Sequence, residues 1–279
     1  MNLHSLHNLY SRSNLHNFSD LYSAVAERHS VRMYTDEPVG AEALAMLRRE
    51  ITACNAASGL HIQLADGVPD AFCGYPTHYG RFSGVHNAIA LIGAGSSIPN
   101  LEASANTASR IQVHDSQVHV RQTTIDANEI NLQTKVGYYG EWLSLLLVHL
   151  GLATSWAVLD NAAEGWWSLG NGERAIWLLA FGHPARPGAR HHTKPMEQLC
   201  KLPEGIATSQ APKWFIRGMR SAMLAPTSLG QQPFAIELHN DDTVSIRATE
   251  GLFSHVGLGC AMCNFEIGAY PHRVVWRQR

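Results

Sequence analysis

The stretch from Arg28 to Arg32 brings together side chains that could bind an anion. Side chains of an extended segment alternate between two faces, so Arg28, Ser30 and Arg32 would point the same way. Two guanidinium groups and a hydroxyl on one face suit a phosphate monoester, because arginine binds phosphate oxygens through two parallel hydrogen bonds. The same pattern also suits a solvated strand edge, so the flanking segments must decide between the two interpretations.

The elements around this stretch are predicted to be helices. A short helix runs into Arg28, and a second helix is predicted from about Ala41, because apolar residues recur there at helical spacing. Further on, the apolar run 88–93 is typical of a buried strand. The two arginines would therefore lie on an extended connection between two helices.

Two further segments add a recognisable pattern. Residues 225–234 run Ala-Pro-Thr-Ser-Leu-Gly-Gln-Gln-Pro-Phe, and the apolar run that begins at Gly140 ends in a turn from Gly151 to Trp156. With Arg28–Arg32, these segments resemble FMN-dependent nitroreductases, which carry Arg-x-Ser-x-Arg/Lys, Ala-Pro-Ser-x-x-Asn-x-Gln-Pro-Trp and a Gly-Leu-Gly-Thr-x-Trp turn. The resemblance implies an α+β, nitroreductase-like fold with FMN as cofactor.

The order of these segments predicts an internal duplication. The Ala-Pro-Ser motif normally follows the first segment within about one helix, where this chain has a degraded copy at 55–63 with Ser58 opposite Ser228. The apolar runs Gly140 to Gly151 and Gly257 to Gly268 form a second similar pair. The chain thus resembles single-chain relatives in which two fused repeats pack like the two subunits of the ordinary dimer.

The predicted repeats cover residues 19–200, with a polar insertion at 96–134, and residues 205–279. Only the first repeat carries Arg-x-Ser-x-Arg, so one FMN per chain is expected, and the chain could form its site as a monomer. The insertion is expected to be either a lid over the substrate or a solvated excursion.

The resemblance assigns the flavin contacts residue by residue. Arg28 and Arg32 would bind the phosphate and ribityl chain, with His29 and Ser30 in the same segment, and Lys194 would be a further cation. A backbone N–H near Val158 and Leu159 would face flavin N5. From the second repeat, Pro226, Thr227 and Ser228 would cover the other side of the flavin. Gly230 replaces the asparagine of the family motif.

Composition excludes several other classes. The chain has 279 residues and a formal net charge of −2, and no long basic run predicts nucleic-acid binding. We found no apolar run of membrane-spanning length and no secretion signal, which favours a cytoplasmic protein without membrane contact. Five cysteines argue against a disulfide framework, and Cys260 and Cys263 are interpreted as buried thiols on a helix rather than metal ligands.

The sequence demands no catalytic nucleophile, dyad or general base, as suits an enzyme whose cofactor carries the chemistry. The expected function is an FMN-dependent oxidoreductase that passes hydride from NAD(P)H through flavin N5 to a small acceptor, nitroaromatic- or quinone-like. Two alternatives remain at this point. One is a flavin-binding protein without turnover, and the other is a fold relative that has lost FMN and acts as an interaction module.

Overall fold

The structure is a computed structural model that describes residues 18–78, 80–95, 126–160, 162, 164–189 and 191–277. Helices and strands both contribute to it, as the α+β prediction requires. The helices are α1 (Phe18–Glu27), α2 (Ala41–Ser58), α3 (Ala127–His149), α4 (Met196–Leu199), α5 (Lys213–Ala222) and α6 (Ser254–Ala269). The strands are β1 (Gln63–Ala65), β2 (Asn87–Ala94), β3 (Ala153–Ala157), β4 (Glu173–Gly182), β5 (Cys200–Lys201), β6 (Phe234–Leu238) and β7 (Val244–Ala248).

The first sheet has the strand order β1-β2-β4-β3, and all its neighbours are antiparallel. The strand predicted at 88–93 is β2, which is buried over nearly its whole length. Its side chains alternate: Ile89 and Leu91 join the core beneath the helices, whereas Ala88, Ala90 and Ile92 pack with Phe72 and Trp167 on the opposite face. This sheet supports the cavity described below.

The second sheet has the order β5-β6-β7. Strand β5 runs parallel to β6, and β6 and β7 form an antiparallel pair. A separate core of large side chains joins this sheet to α5 and α6, including Phe215, Phe234 and Phe265. Because β5 follows β4 in the chain, the connection from β4 crosses from the first sheet to the second.

The two long helices α3 and α6 cross at a pair of glycines. A Cβ on Gly137 would lie 2.0 Å from the carbonyl oxygen of Val256, and a Cβ on Gly259 would lie 2.1 Å from that of Thr134. Val256 and Thr134 each precede one of these glycines by three residues. The contact is therefore the same in both directions, as at a two-fold interface, which agrees with two fused repeats.

This crossing changes the register of the duplication. The sequence comparison pairs Gly140 with Gly257, whereas the structure pairs Gly137 with Gly259. Both helices are buried around most of their circumference. Such helices have no apolar stripe that would reveal their contact face in the sequence.

The predicted insertion at 96–134 is partly helical. Helix α3 begins at Ala127, and the carboxylate of Asp126 accepts a hydrogen bond from the Asn128 N–H at 3.1 Å, a normal N-cap. Residues 127–134 thus belong to the first turns of α3, contrary to the predicted boundary, because Leu132 and Thr134 are buried there despite the polar sequence around them. Residues 96–125 lie outside the described part of the chain.

Among the described residues, no helix is both long and apolar enough to cross a bilayer. Cys260 and Cys263 are buried thiols on α6, as predicted. Within the same residues, no three His, Cys, Asp or Glu side chains gather in a way that could hold a metal ion.

Candidate functional site

A cavity of about 390 Å³ lies where the two halves of the chain meet, that is, the predicted repeats 19–200 and 205–279. The first half contributes residues after α1 and on β3 and β4, and the second half contributes the loop after α5 and the start of α6. The segment that follows β4 adds a further wall. The lining side chains include Arg28, Ser30, Arg32, Trp156, Trp177, His191, His192, Pro226, Thr227, Ser228, Gln232, Phe253 and Cys260.

The segment after α1 is extended, as predicted. Ser30 pairs with Thr154 in a parallel bridge, and the Val31 N–H donates to the Thr154 carbonyl at 3.0 Å. Arg28, Ser30 and Arg32 line the cavity. His29 and Val31 instead line a separate groove, so the predicted alternation is confirmed and His29 stands apart from the three cavity residues. The predicted role of His29 toward the flavin stays a prediction.

Arg28 forms the floor of the cavity. Its side chain is 4% exposed, and its Nη2 donates a long hydrogen bond of 3.4 Å to the Leu224 carbonyl. Its Nε lies 3.5 Å from Oε1 of Glu141, a fully buried carboxylate on α3. Nε and Nη1 find no hydrogen-bond partner among the described residues, so the protein leaves donors of this buried cation unsatisfied.

Arg32 lies nearer the mouth of the cavity and is exposed. Its guanidinium carbon is 5.8 Å from the centroid of the Phe82 ring, within the range of a cation–π contact. Gly80 lies against the same side chain with φ +75°, and a Cβ there would come within 2.8 Å of the Arg32 Nε. The segment 80–82 therefore holds Arg32 on one side.

The loop after α5 forms the wall from the second half. Thr227 Oγ1 accepts from the Gln232 N–H at 3.0 Å, and Gln232 Nε2 donates to the Met223 carbonyl at 2.8 Å. These bonds fix the loop from both ends. Pro226, Thr227 and Ser228 line the cavity, and the buried Ser228 Oγ has no hydrogen-bond partner among the described residues.

Lys194 lies on the outer side of this loop. The backbone N–H of Lys194 donates to Gln232 Oε1 at 2.6 Å. The side-chain Nζ donates to the Gln231 carbonyl, also at 2.6 Å. The ammonium group thus connects the segment after β4 to the loop through a hydrogen bond. Lys194 does not line the cavity. Its predicted role as a flavin ligand stays a prediction.

Val158 and Leu159 also lie outside the cavity lining, next to the loop 76–78. The Val158 carbonyl accepts from the His78 N–H at 2.9 Å, and Leu159 pairs with Thr77 in an antiparallel bridge. The bonds flank that pair, so the N–H of Leu159 points away from the loop. Its predicted role toward flavin N5 therefore remains a prediction as well.

An aromatic wall was missed by sequence reasoning. Trp156 and Trp177 meet edge to face at 5.9 Å between ring centroids, and Trp177 meets Phe253 in the same manner at 4.8 Å. These residues come from β3, β4 and the start of α6. Only the fold brings them together, so no local pattern in the sequence could have revealed the wall.

Glu141 was also missed, although it left a signal: it is the single carboxylate within the apolar stretch 136–148 of α3. Burial raises its pKa to about 7, against the opposing effects of Arg28, Trp156 and Asn264. His191 is the second titratable neighbour of Arg28. Burial and the charges of Arg28 and His29 lower the pKa of His191, whose ring lies 4.5 Å from that of His29.

The cavity lining contains two arginines and, among the described residues, no Asp or Glu. Its floor is therefore positive, while one wall is aromatic and the other carries hydroxyl groups. A molecule that has an anionic end, a polar middle and a flat apolar part would match these three regions.

Comparisons with known proteins found a matching family model and similar solved structures. The family model described as "Putative TM nitroreductase" matches residues 20–104 and 103–269. A putative nitroreductase of Thermotoga maritima has a similar structure, with a TM-score of 0.54 and 14% identity over 91% of this chain and 86% of that one. No curated protein matches the chain.

Two shorter solved structures overlap with part of the chain. A putative nitroreductase of Desulfovibrio desulfuricans, in complex with FMN, has 20% identity and a TM-score of 0.40 over 64% of this chain and 94% of its own. A nitroreductase-like family protein of Bacillus cereus has 14% identity and a TM-score of 0.40 over 69% of this chain and 99% of its own.

Proposed function

This chain belongs to the nitroreductase family, and on that premise we propose that it is an FMN-dependent oxidoreductase with its flavin in the cavity between the two halves. One observation carries the proposal. Cavity-lining residues of both halves carry buried donors without hydrogen-bond partners among the described residues: Nη1 of Arg28 from one half and Oγ of Ser228 from the other. Buried polar groups are nearly always paired, so these donors point to a ligand with acceptors at both positions.

The residues of the cavity fit FMN. A dianionic phosphate needs cations, which Arg28 and Arg32 supply as planar forks, with the Ser30 hydroxyl between them. The ribityl chain needs hydroxyl partners, and Thr227 and Ser228 line the cavity on the other side. The volume of about 390 Å³ lies within the usual range of cofactor sites.

The flat ring would lie against the aromatic wall. Trp156, Trp177 and Phe253 present apolar surface there, and they would exclude water from the ring. When bound, the flavin supplies hydride transfer from NAD(P)H to a small acceptor of nitroaromatic or quinone type. The chain itself provides binding and orientation, and no side chain of the cavity is assigned an acid–base role in that transfer.

The internal duplication bears on stoichiometry and assembly. The segment Arg28–Arg32 belongs to the first half and the loop 225–232 to the second, and one cavity contains both. We therefore expect one FMN per chain and a site that forms without a second chain. Light scattering of the flavin-loaded protein measures the second expectation, and a dimer that loses flavin as it dissociates on dilution would contradict it.

The first experiment is the visible spectrum of the purified protein after incubation with FMN, followed by heat release and quantification of the flavin. One flavin per chain is expected. Anaerobic stopped-flow mixing with NADH or NADPH should then bleach the flavin absorbance. Binding without bleaching would leave a flavin-binding protein without turnover, and no binding would refute the cofactor.

Substitution of the arginines tests the site. Arg28→Ala and Arg32→Ala should each raise the Kd for FMN by roughly 10- to 150-fold, since a charge-assisted hydrogen bond contributes about 1.5–3 kcal/mol. Arg32→Lys should recover only part of the loss, because an ammonium group cannot form the bidentate fork. The matched control is Arg48→Ala on α2, an exposed arginine paired with Asp66 away from the cavity lining.

A double variant separates binding from folding. Arg28→Ala leaves Glu141 buried without its cationic neighbour, which destabilises the fold. Arg28→Ala/Glu141→Gln should regain stability in urea denaturation but not FMN affinity. If FMN binds to both arginine variants as it does to the parent protein, the segment does not hold the phosphate and the proposal fails.

A further inference from the structure

The buried carboxylate of Glu141 lies beneath the floor of the cavity and has no part in the function proposed above. Its side chain is fully buried on α3, and neither oxygen accepts a hydrogen bond from the described residues within normal geometry. The nearest contact is the Arg28 Nε at 3.5 Å. A buried carboxylate without hydrogen bonds is costly, so this position needs a reason beyond the stability of the fold.

The contact with Arg28 is an open ion pair rather than a closed one. In a bidentate pair, two guanidinium N–H groups bond two carboxylate oxygens at about 2.8 Å. Here Nε lies 3.5 Å from one oxygen, and Nη1 has no hydrogen-bond partner among the described residues. Arg28 therefore compensates the charge of Glu141 while it keeps donors for an anion in the cavity.

The groups around Glu141 make Arg28 its main electrostatic neighbour. Trp156 on β3 and Asn264 on α6 are polar but neutral, and both oppose the effect of burial on the pKa of Glu141. Cys260 and Cys263 on α6 are titratable, and their pKa values are raised well above the usual thiol value, first by burial and then by the Glu141 charge. Both thiols are therefore neutral near pH 7.

We propose that Glu141 is a positioning residue that takes up one proton when a phosphate group binds at Arg28. The inference rests on the proposed function, since FMN brings that phosphate. A phosphate dianion beside Arg28 would take over the positive charge that compensates the carboxylate. Glu141 would then gain a proton from water to become a neutral acid, and Arg28 would direct its full charge to the phosphate.

The expected pH dependence follows in sign. Since burial holds the pKa of Glu141 at about 7 in the free protein, the carboxylate is ionised above that pH. Binding of the dianion raises this pKa further, so the bound protein carries the acid. FMN affinity should therefore fall as the pH rises above about 7, by up to about tenfold per pH unit.

Calorimetric titration with FMN at about pH 8, well above the second phosphate pKa of about 6, measures the proton directly. Two buffers of different ionisation enthalpy give the number of protons taken up per FMN bound. The parent protein should take up close to one proton with FMN and none with riboflavin, which lacks the phosphate. This comparison needs no variant, so it stands even if a substitution prevents folding.

Three variants assign the proton. Glu141→Gln should bind FMN without proton uptake, with an affinity that is flat above neutral pH and at least equal to that of the parent at high pH. Glu50→Gln is the matched control, because Glu50 is a buried carboxylate with a raised pKa that accepts from Trp142 and lies outside the cavity lining. His191→Gln tests the other titratable neighbour of Arg28 and should keep the proton uptake.

The outcomes are distinct. Proton uptake that persists in Glu141→Gln, or that disappears in His191→Gln, overturns the assignment to Glu141. FMN binding to the parent without proton uptake, or uptake of the same size with riboflavin, overturns the coupling and leaves the proposed function intact. A parent protein that binds no FMN at any pH overturns both proposals.

Discussion

The residues that follow α2 and those that follow α5 occupy corresponding places in the two halves. In each half a helix leads to an antiparallel strand pair and then to one of the crossing helices, α3 or α6. In the last turn of α2, the Asn55 amide donates to the Ile62 carbonyl at 3.0 Å and accepts from the Ile62 N–H at 2.7 Å. Ser58 Oγ donates to the Cys54 carbonyl and accepts from the Leu60 N–H.

After α5 the bonds are different. Gln232 and Thr227 hold the loop, but the hydroxyl of Ser228 remains buried without a partner among the described residues. Ser58 is the last residue of its helix, where a hydroxyl readily bonds to the carbonyl four residues earlier. Ser228 lies in a 3₁₀ turn beyond the end of α5 and has no such carbonyl in reach.

The difference shows how one residue type serves two purposes. The first segment satisfies its own polar groups, so it is a structural connection. The segment after α5 is held by Gln232 and Thr227 and leaves the Ser228 hydroxyl for a ligand. Similarity between 55–63 and 225–233 predicts the duplication, whereas the hydrogen bonds indicate which segment is available to a ligand.

The largest expected effect concerns the crossing of α3 and α6, to which both halves contribute a glycine. Gly137→Ala and Gly259→Ala each place a Cβ against the backbone of the opposite helix, at 2.0 and 2.1 Å. Backbone cannot rotate away as a side chain can, so the helices must separate. Each substitution should lower the free energy of unfolding by about 3 kcal/mol, as measured by urea denaturation.

Gly40→Ala is the control for these variants. Gly40 has negative φ, and nothing lies within 4 Å of a Cβ built there. Its effect should stay within about 0.5 kcal/mol. If only one of the two helix variants is destabilised, the crossing is not equivalent in its two directions, and the argument for a two-fold contact weakens.

The second prediction compares the side chains whose hydrogen bonds hold the two segments, Asn55 at the end of α2 and Gln232 after α5. Asn55→Ala leaves the backbone of buried Ile62 without partners, which should destabilise the protein by about 2 kcal/mol. Its Kd for FMN should stay within about twofold of the parent value, since Asn55 lies outside the cavity lining. Gln232→Ala should lower stability by a similar amount and also weaken FMN binding.

Urea denaturation and quenching of FMN fluorescence provide both measurements on each variant. The comparison fails if Asn55→Ala impairs flavin binding as strongly as Gln232→Ala does. In that case the two segments would not differ in function.

Local features of the fold were predictable from the sequence. The alternation of Arg28, Ser30 and Arg32 follows from the period of an extended chain, and the start of α2 at Ala41 follows from apolar spacing. These depend on neighbours in the sequence. The fold class and the family resemblance depend on the same short segments, and the family model confirms them.

Features set by contacts between distant segments were not predictable. The aromatic wall joins β3, β4 and the start of α6, and Glu141 gains its significance only from the approach of Arg28. Lys194 was expected at the flavin by its position before a proline. Its ammonium group donates to the Gln231 carbonyl, a partner that spacing along the chain cannot indicate, and its role at the flavin stays a prediction.

The smallest expected effect is the sharpest test of the comparison. Ser228→Ala removes a hydroxyl that has no protein partner, so stability should stay the same or rise slightly. The Kd for FMN should rise by about two- to tenfold, which corresponds to the loss of one neutral hydrogen bond. Ser58→Ala should do the reverse: the Leu60 N–H loses its acceptor, stability falls by about 1 kcal/mol, and FMN affinity is unchanged. Because both substitutions remove the same oxygen atom, opposite results in denaturation and flavin titration would assign structure to one copy and binding to the other. Equal losses of affinity would mean that Ser228 acts through the fold alone.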